Sequence, residues 1–420
     1  MATPTLPTAT KDALDKILTD AVTSKSTPAL LLSVTNLDGP IYTKTVGNKI
    51  VDDPASPPIG EDPIFAMFSQ TKLITTIAIL QLLEQGKVTL DTLVETILPE
   101  VANAVVITSR DEAGRPTATA PSKTKMLVKH LLNHTSGLHY LYAGFPPLDV
   151  VSEPYKHNYT ESEGISTFFE IMKGTHPGVP LACEPGTDFA YGFSIDALGF
   201  IVERVSGKPL EQYFQEHIFI PLGITSISFN LTPEMKSRLL PLSYRPKDGQ
   251  VERWNRPAVF DRDPANVRVA LGGVGIYGSQ KDYLSLLRHL LQIKAGRASN
   301  PILSRGSVNS MFTPSLPTEA AKNNLNLLVP FLHPYLGVTA GGADFGSGLM
   351  VNTVEAPGKR RKGSGCWSGM AMTSYFLDPT TGVAVVFATQ LLPAMDNAHE
   401  KLYGILEEEI YKGLGKAAAL

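Results

Sequence analysis

The chain has 420 residues, of which 43% are apolar and 18% charged, and its formal net charge is −3 at neutral pH. Its length exceeds the size at which one compact core keeps growing, so we expect two subdomains. Nucleic-acid-binding proteins usually carry a basic field, which this composition lacks, so we expect no polyanionic partner. The basic run Lys359–Lys362 is short and isolated, and we interpret it as a solvated turn.

Two cysteines, Cys183 and Cys366, are too few for a disulfide framework and favour a reducing compartment. The first residues show neither the charged region nor the apolar region of a signal peptide. The longest uncharged apolar run, about Leu73 to Leu83, is far shorter than a bilayer span. We therefore predict a soluble, cytoplasmic protein with no membrane partner. Residues 417–420 resemble an expression linker, and we exclude them from the fold prediction.

In chain order, the pattern first predicts a helix over Asp12–Val22 and two strands, Leu30–Thr35 and Ile41–Val46, joined by a turn. A buried helix that ends near Gly86 follows. From there to about Leu222 the chain shows mostly helical pattern and loop. The segments of this middle region are a polar excursion at residues 107–119, a helix at 126–132, an irregular loop at 140–159 and a helix at 195–205.

The last third of the chain changes to strand pattern. A strand-like run at residues 267–271 and a helix at 282–293 precede predicted strands at 348–352, 365–378 and 383–390, and a helix at 397–411 closes the chain. Strands joined by such short connections should be antiparallel. The order predicts an α/β (α+β) fold, in which an antiparallel sheet flanked by helices is interrupted by a mostly helical subdomain. The cleft between the two layers is the expected ligand site.

The buried helix begins with Ser69 and Lys72, an S-x-x-K pair whose side chains share one helical face. A serine hydroxyl is a poor nucleophile until a base takes its proton, and burial disfavours the charged form of a lysine. Lys72 could therefore be the base, and the helix N-terminus offers N–H groups to an oxyanion. A second copy, Ser122–Lys125, lies in a polar stretch and should be without function. The motif alone leaves a purely structural reading open.

Two further segments could complete a serine–lysine site. Tyr191 lies on a Pro/Gly-containing loop just before a helix, although a tyrosine packed beneath such a loop is the alternative. The run Gly363–Met370 is rich in small residues on a predicted strand, so a substrate could approach its backbone N–H groups.

Two other motifs suggest different functions. Gly273–Gly278 is a G-x-G-x-x-G between a strand-like run and a helix, but the helix should begin only after the last glycine, with Ser279 as its N-cap, so a phosphate would miss the helix N-terminus. His130, His134 and His139 lack a further ligand at zinc spacing and are better explained as structural histidines. We expect no cofactor and no metal. No G-x-S-x-G occurs, which excludes the α/β-hydrolase nucleophile elbow.

Together, the S-x-x-K at a buried helix, the P-G-x-x-x-x-Y at Pro185–Tyr191, the H-T-S-G-L at His134–Leu138 and the late glycine-rich strand resemble the serine β-lactamase and penicillin-binding-protein family. Within it, the chain is most similar to the family VIII carboxylesterases and the fungal lovastatin-type acyltransferases. The likeness extends over nearly the whole chain. It implies a β-lactamase/transpeptidase-like fold with one catalytic unit, residues 1–416, divided into an α/β subdomain (1–66 and 223–416) and a helical subdomain (67–222).

The resemblance also implies roles for individual residues. Ser69 would be the acylated nucleophile, with Lys72 and Tyr191 as general base and acid. The N–H groups of Ser69 and Met370 would form the oxyanion hole. The remaining residues implied in substrate binding are Trp367, Ser368, Gly369 and Tyr140.

Two departures bear on the substrate. Lactam-cleaving members have asparagine two residues after the tyrosine, where this chain has Phe193, and the lysine of their K-T-G is Trp367 here. Both changes replace polar recognition by apolar surface, so we predict cleavage of carboxylic esters rather than of β-lactams. The open alternatives are acyl transfer to an alcohol of a polyketide-like metabolite, β-lactam cleavage and a non-catalytic binding protein on this fold. The predicted partner is a small-molecule ester, with a possible acyl donor and alcohol acceptor, and the sequence gives no oligomeric state.

Overall fold

The computed structural model describes residues 3–112, 114–140, 151–247, 249–260, 263–332 and 341–417. Its helices are α1 (Thr8–Thr23), α2 (Thr71–Glu84), α3 (Val128–Leu132), α4 (Glu153–Lys156), α5 (Ile165–Lys173), α6 (Ser194–Ser206), α7 (Leu210–Phe214), α8 (Ile220–Leu222), α9 (Pro233–Arg238), α10 (Gln280–Ala295), α11 (Arg305–Met311), α12 (Glu319–Leu332) and α13 (Asn397–Ala417). Short 3₁₀ turns cover Phe68–Gln70, Val94–Thr96 and Pro99–Val101, and a π-helical turn covers Gln215–Phe219.

The strands are β1 (Leu30–Thr35), β2 (Pro40–Val46), β3 (Ile64–Ala66), β4 (Val105–Arg110), β5 (Pro116–Pro121), β6 (Pro180–Leu181), β7 (Ile227–Ser228), β8 (Ser243–Tyr244), β9 (Glu252–Arg253), β10 (Tyr277–Ser279), β11 (Ala343–Phe345), β12 (Met350–Asn352), β13 (Gly365–Gly369), β14 (Thr373–Asp378), β15 (Val383–Ala388) and β16 (Leu391–Leu392). No helix among these described segments is long and apolar enough to cross a membrane.

A seven-stranded antiparallel sheet in the order β11-β12-β13-β14-β15-β1-β2 forms the centre of the molecule. Strands β1, β14 and β15 are buried at every position, so both faces of the sheet are covered. This explains their nearly continuous apolar sequences. Strand β2, at the edge, is mostly exposed or half-buried and begins with Pro40, a residue tolerated at a sheet edge. The predicted α+β fold with an antiparallel sheet is therefore confirmed.

Helices cover the sheet and set the position of α2, which begins at Thr71, two residues after Ser69. Helix α10 packs against β1 and β15, while α1 packs against α13 and β2. Helix α2 is buried along its length from Thr71 to Leu82 and packs against α6. A helix with no exposed face has no solvent route for a charged side chain, so Lys72 at its start must find its partners inside the protein.

The structure corrects five expectations from the sequence. The polar excursion is a β-hairpin, β4–β5, and the strand-like run at 267–271 forms no strand. The strand predicted over 365–378 is two strands, because residues 370–372 turn between β13 and β14, with Met372 at a φ of 66°. Arg360 is not in a solvated turn, since it is fully buried against Glu407. Helix α13 includes Ala417, so this residue is not part of a detached tail, and residues 418–420 lie outside the described residues.

Candidate active site

A tight turn between β3 and α2 presents the Ser69 side chain. Phe68, immediately before it, has a φ of 46°, a left-handed conformation that costs free energy for a bulky side chain. The turn is held on both sides: Met67 N–H donates to the carbonyl of Ile276 at 2.9 Å, and the Tyr283 hydroxyl donates to the carbonyl of Gln70 at 3.0 Å. Strain that is retained by surrounding contacts is a common property of a functional turn.

Lys72 lies in the first turn of α2, three residues after Ser69, and is only 3% exposed. Its Nζ is 3.0 Å from Ser69 Oγ, 2.7 Å from the carbonyl oxygen of Gly273 and 3.2 Å from the hydroxyl oxygen of Tyr140. These three oxygens surround the amine at hydrogen-bonding distance. The S-x-x-K spacing therefore brings nucleophile and amine together as the sequence predicts, inside the protein rather than at its surface.

Two tyrosines lie beside Lys72 with different geometry. The Tyr140 hydroxyl contacts the amine directly, whereas the Tyr191 ring presents its face, with its centroid 4.9 Å from Nζ. The hydroxyl of Tyr191 accepts a hydrogen bond from the indole Nε1 of Trp367 at 3.0 Å. The two tyrosine rings meet edge to face at 5.5 Å. The predicted general base or acid, Tyr191, and the predicted pocket residue, Tyr140, thus both border the serine–lysine pair.

Strand β13 carries Trp367, Ser368 and Gly369 and packs against the turn that holds Ser69. A Cβ atom at Gly369 would overlap the carbonyl oxygen of Met67 and the hydroxyl of Thr373, so only glycine permits this approach. Met370 follows directly, where the chain turns away from the sheet. The oxyanion hole formed by the N–H groups of Ser69 and Met370 stays a prediction, which this packing of β13 against the turn allows.

Three residues that contact this site were not predicted. Gly273 supplies a carbonyl oxygen to Lys72, and its own N–H donates to the carboxylate of Asp196 at 2.8 Å. The other oxygen of Asp196 accepts from the Tyr155 hydroxyl at 2.6 Å. Asp196 is wholly buried in α6, whose residues from Ser194 to Val202 are all buried and mostly apolar, and a carboxylate in such a stretch was the available sequence signal.

The glycine-rich motif at Gly273–Gly278 resembles a dinucleotide-binding motif, but its first glycine contacts Lys72 and Asp196. Helix α10 begins only after the last glycine of the motif, with the Ser279 side chain accepting from Asp282 N–H. The first glycine is engaged by Lys72 and Asp196, so neither its N–H nor its carbonyl faces a phosphate. This geometry matches the sequence argument against a nucleotide site.

The comparison with protein families agrees with this arrangement. The family model described as Beta-lactamase matches residues 14–409. This chain belongs to the beta-lactamase family. The matched span includes every residue of the site described above.

Relatives of this beta-lactamase family member include transferases and an esterase. This chain is 28% identical over 403 residues to ML-236A carboxylate methylbutanoyltransferase of Penicillium citrinum, with 93% of this chain and 92% of the relative covered. It is 28% identical over 383 residues to lovastatin esterase of Penicillium rubens, with 89% and 91% covered. A solved structure of a simvastatin synthase variant from Aspergillus terreus matches with a TM-score of 0.79 at 28% identity, covering 97% of this chain and 96% of that one.

Of the three histidines considered as zinc ligands, His130 and His134 are buried and His139 is half-buried. His130 Nδ1 accepts from Leu127 N–H at the start of α3. Burial lowers the pKa of His139 to about 4 and lowers that of His134 well below its ordinary value, so both rings are neutral at pH 7. Across the described part of the chain, no group of three or more histidine, cysteine or acidic side chains could hold a metal ion.

Phe193, which stands where lactam-cleaving members have asparagine, is fully buried. It packs edge to face against Tyr140 and Tyr155, with ring centroids 5.1 Å apart in each pair. The residue therefore supports the tyrosine that contacts Lys72 and offers no polar group to an amide. Loop residues 141–150, part of the predicted irregular loop, lie outside the described residues.

Proposed function

We propose that this beta-lactamase family member cleaves carboxylic esters through a covalent acyl-enzyme on Ser69. The observation that carries the proposal is the 3.0 Å separation of Lys72 Nζ and Ser69 Oγ within a buried turn. A serine hydroxyl next to an amine is a nucleophile next to its base. The names of its relatives, which include methylbutanoyltransferases and an esterase, support the same chemistry.

In the first step, Ser69 Oγ bonds to the ester carbonyl carbon while its proton passes to the Lys72 and Tyr191 pair. The N–H groups of Ser69 and Met370 bind the oxygen that becomes negative. The bond to the alcohol oxygen then breaks, and the alcohol leaves with the proton that Ser69 gave up. In the second step, water bonds to the acyl carbon, the bond to Oγ breaks, and Ser69 regains a proton from that water as the carboxylic acid leaves.

Acyl transfer is the second candidate, because the relatives include methylbutanoyltransferases of ML-236A carboxylate and monacolin J acid. An alcohol would then replace water in the second step. The same acyl-enzyme serves both outcomes, and the partition depends on how far the closed site excludes water. The partners are accordingly a small-molecule acyl donor and a polyketide-like alcohol, with no nucleic acid or membrane, in a cytoplasmic setting.

Turnover of p-nitrophenyl butyrate by the wild type, Ser69→Ala and Ser122→Ala tests the proposal. The chain offers its own control, because Ser122 is the first residue of the second S-x-x-K and its hydroxyl donates to the half-buried Glu184. We expect Ser69→Ala to abolish turnover and Ser122→Ala to retain it. Equal activity in Ser69→Ala would contradict the proposal, and failure of a fluorophosphonate to label Ser69 would indicate a non-catalytic binding protein.

Addition of an alcohol distinguishes the two candidate functions. Turnover that is independent of the alcohol and yields butyric acid identifies an esterase. A burst followed by a slow phase that the alcohol accelerates, with butyryl ester as product, identifies an acyltransferase. Nitrocefin turnover close to ester turnover would contradict the ester preference argued from Phe193 and Trp367.

A further inference from the structure

A pair of buried side-chain amides joins the residue after Ser69 to the start of helix α10. Gln70 Nε2 donates to Gln280 Oε1 at 3.2 Å, and Gln280 Nε2 donates to Gln70 Oε1 at 2.8 Å. Both residues are fully buried, so water does not compete for these bonds. The two bonds fix the orientation of both amides, because turning one amide alone would place oxygen against oxygen and NH₂ against NH₂.

The same helix also holds the backbone of Gln70. Tyr283, one turn after Gln280 on α10, donates its hydroxyl to the Gln70 carbonyl at 3.0 Å. The Gln70 N–H donates to the carbonyl of Met67 at 3.1 Å, which closes the turn around Ser69. Three of these four hydrogen bonds of Gln70 therefore connect the turn to the first turn of α10.

Helix α10 is a firm anchor because it is itself fixed to the central sheet. It packs against β1 and β15, and the Tyr283 ring meets the ring of Tyr375 on β14 edge to face at 5.2 Å. The turn needs such an anchor, since the left-handed conformation of Phe68 persists only while surrounding contacts hold it. A turn that relaxed would carry Ser69 Oγ away from Lys72 Nζ, which is now at 3.0 Å.

We propose that Gln70 and Gln280 are positioning residues, whose paired amides hold the strained turn in the conformation that keeps Ser69 Oγ against Lys72. The inference rests on the proposed acyl-enzyme function. Because neither side chain is exposed, the pair acts through the turn and not by contact with substrate. A displacement of about 1 Å between reacting groups is enough to slow a reaction about 100-fold.

Methionine substitutions separate positioning from stability. Gln70→Met and Gln280→Met each remove both bonds of the pair and leave the other amide buried without its partner, so both should also lower stability. The double variant Gln70→Met/Gln280→Met leaves no unpaired amide, so much of the stability should return. A purely structural pair would regain activity together with stability. A positioning pair would not, because flexible methionine side chains impose no fixed geometry on the turn.

Gln81 provides a matched control on helix α2. Its Nε2 donates to the carbonyls of His217 and Ile302 at 3.0 and 3.1 Å, and the residue is only 7% exposed. Gln81→Met therefore removes two hydrogen bonds of a buried amide near the end of α2 that is remote from Ser69. It shows how much of any effect on activity comes from loss of stability alone.

The experiment measures kcat and KM for p-nitrophenyl butyrate, the rate of Ser69 labelling by a fluorophosphonate, and the midpoint of urea unfolding, with rates expressed per titrated active site. We expect both single variants and the double variant to lower kcat and the labelling rate about 10- to 100-fold, with little change in KM. The double variant should unfold at a higher urea concentration than either single variant. Gln81→Met should unfold earlier than the wild type but keep its kcat and labelling rate.

Two results would overturn the inference. One is a Gln280→Met variant with the kcat and labelling rate of Gln81→Met, and the other is a double variant that regains wild-type kcat along with its stability. If a single variant does not fold, the comparison of the double variant with Gln81→Met still decides. Wild-type protein that is labelled but turns over no ester would contradict the proposed function instead, and the labelling rates of the variants would still test the amide pair.

Discussion

The indole Nε1 of Trp367 donates a hydrogen bond to the hydroxyl oxygen of Tyr191 at 3.0 Å, and the two rings lie 5.0 Å apart. The lactam-cleaving pattern K-T-G has a lysine at this position. An indole donates as a lysine does but carries no charge. Tyr191 is thus held beside Lys72 by an uncharged donor, which agrees with the proposed preference for an uncharged ester over a substrate carboxylate.

Trp367→Phe should lower kcat for p-nitrophenyl butyrate about 10-fold, since it keeps an aromatic ring but removes the donor that holds the Tyr191 hydroxyl. Steady-state kinetics over a range of ester concentrations check this, and KM should rise little. Trp367→Leu, which removes the ring as well, should raise KM in addition. An unchanged kcat in Trp367→Phe would show that the bond to Tyr191 has no part in the reaction.

Gly369→Ala should destabilise the protein by about 1–3 kcal/mol, because the new methyl group must displace either the Met67 carbonyl or the Thr373 hydroxyl. The displacement would separate β13 from the Ser69 turn, so kcat should fall as well. Urea unfolding and ester turnover measure the two effects. Gly60→Ala is the control, because nothing lies within 4 Å of a Cβ atom at Gly60. Wild-type kcat in Gly369→Ala would contradict the proposed oxyanion hole.

Glu407→Gln should destabilise the protein by about 3–5 kcal/mol, because it leaves the Arg360 charge without its counter-ion in a fully buried site. Both Arg360 Nε and Nη2 donate to this carboxylate at 2.8 Å. The neighbouring Glu408, which is 61% exposed and 3.4 Å from Lys359, provides the control. Glu408→Gln should change the free energy of unfolding by less than about 1 kcal/mol in the same urea titration. Similar effects of the two substitutions would contradict this account.

Glu400→Gln should stabilise the protein at alkaline pH. Burial, with a smaller contribution from Asp396, raises the pKa of Glu400 to about 8 from an ordinary 4.5. A carboxyl with a raised pKa stabilises the fold fully below pH 4.5, and this contribution is lost as the pH rises through 8. The chain neighbour His399 has a pKa that burial lowers to about 4, and Asp396 is paired with Arg245.

Thermal unfolding at pH 4.5 and pH 8.5 tests this prediction. The variant should match the wild type at the lower pH and exceed it by roughly 2–4 kcal/mol at the higher pH. Glu355→Gln, at an exposed position, should show no such difference between the two pH values. A gain of equal size at both pH values would mean that the effect comes from packing rather than from ionisation.

The sequence predicted the parts of the site that depend on local geometry. Ser69 and Lys72 are three residues apart, so helical spacing alone brings them together. The contacts of Lys72 with Gly273 and of Gly273 with Asp196 join residues far apart in the chain, so no local sequence pattern predicts them. From the sequence, Gly273 was considered only as part of a nucleotide motif. Every residue has a backbone carbonyl, so residue type cannot show which carbonyl oxygen will contact Lys72.

The errors in the fold prediction have local causes. The β13–β14 turn at residues 370–372 contains Met-Ala-Met, with none of the glycine or proline that usually marks a turn. The hairpin β4–β5 is largely exposed, so it lacks the alternating apolar residues from which strands are predicted. Arg360 could not be distinguished from its basic neighbours until the structure placed Glu407 against it.

The pairing of β1 with β15 has a consequence for how the protein is made. Leu32 lies opposite Phe387, so the middle of the sheet joins segments from near the two ends of the chain. During synthesis the first hairpin leaves the ribosome long before its neighbouring strand exists. Its apolar residues must remain exposed or be shielded by a chaperone until then. Contacts of such long sequence separation also slow folding, so this catalyst should become active late after translation rather than during it.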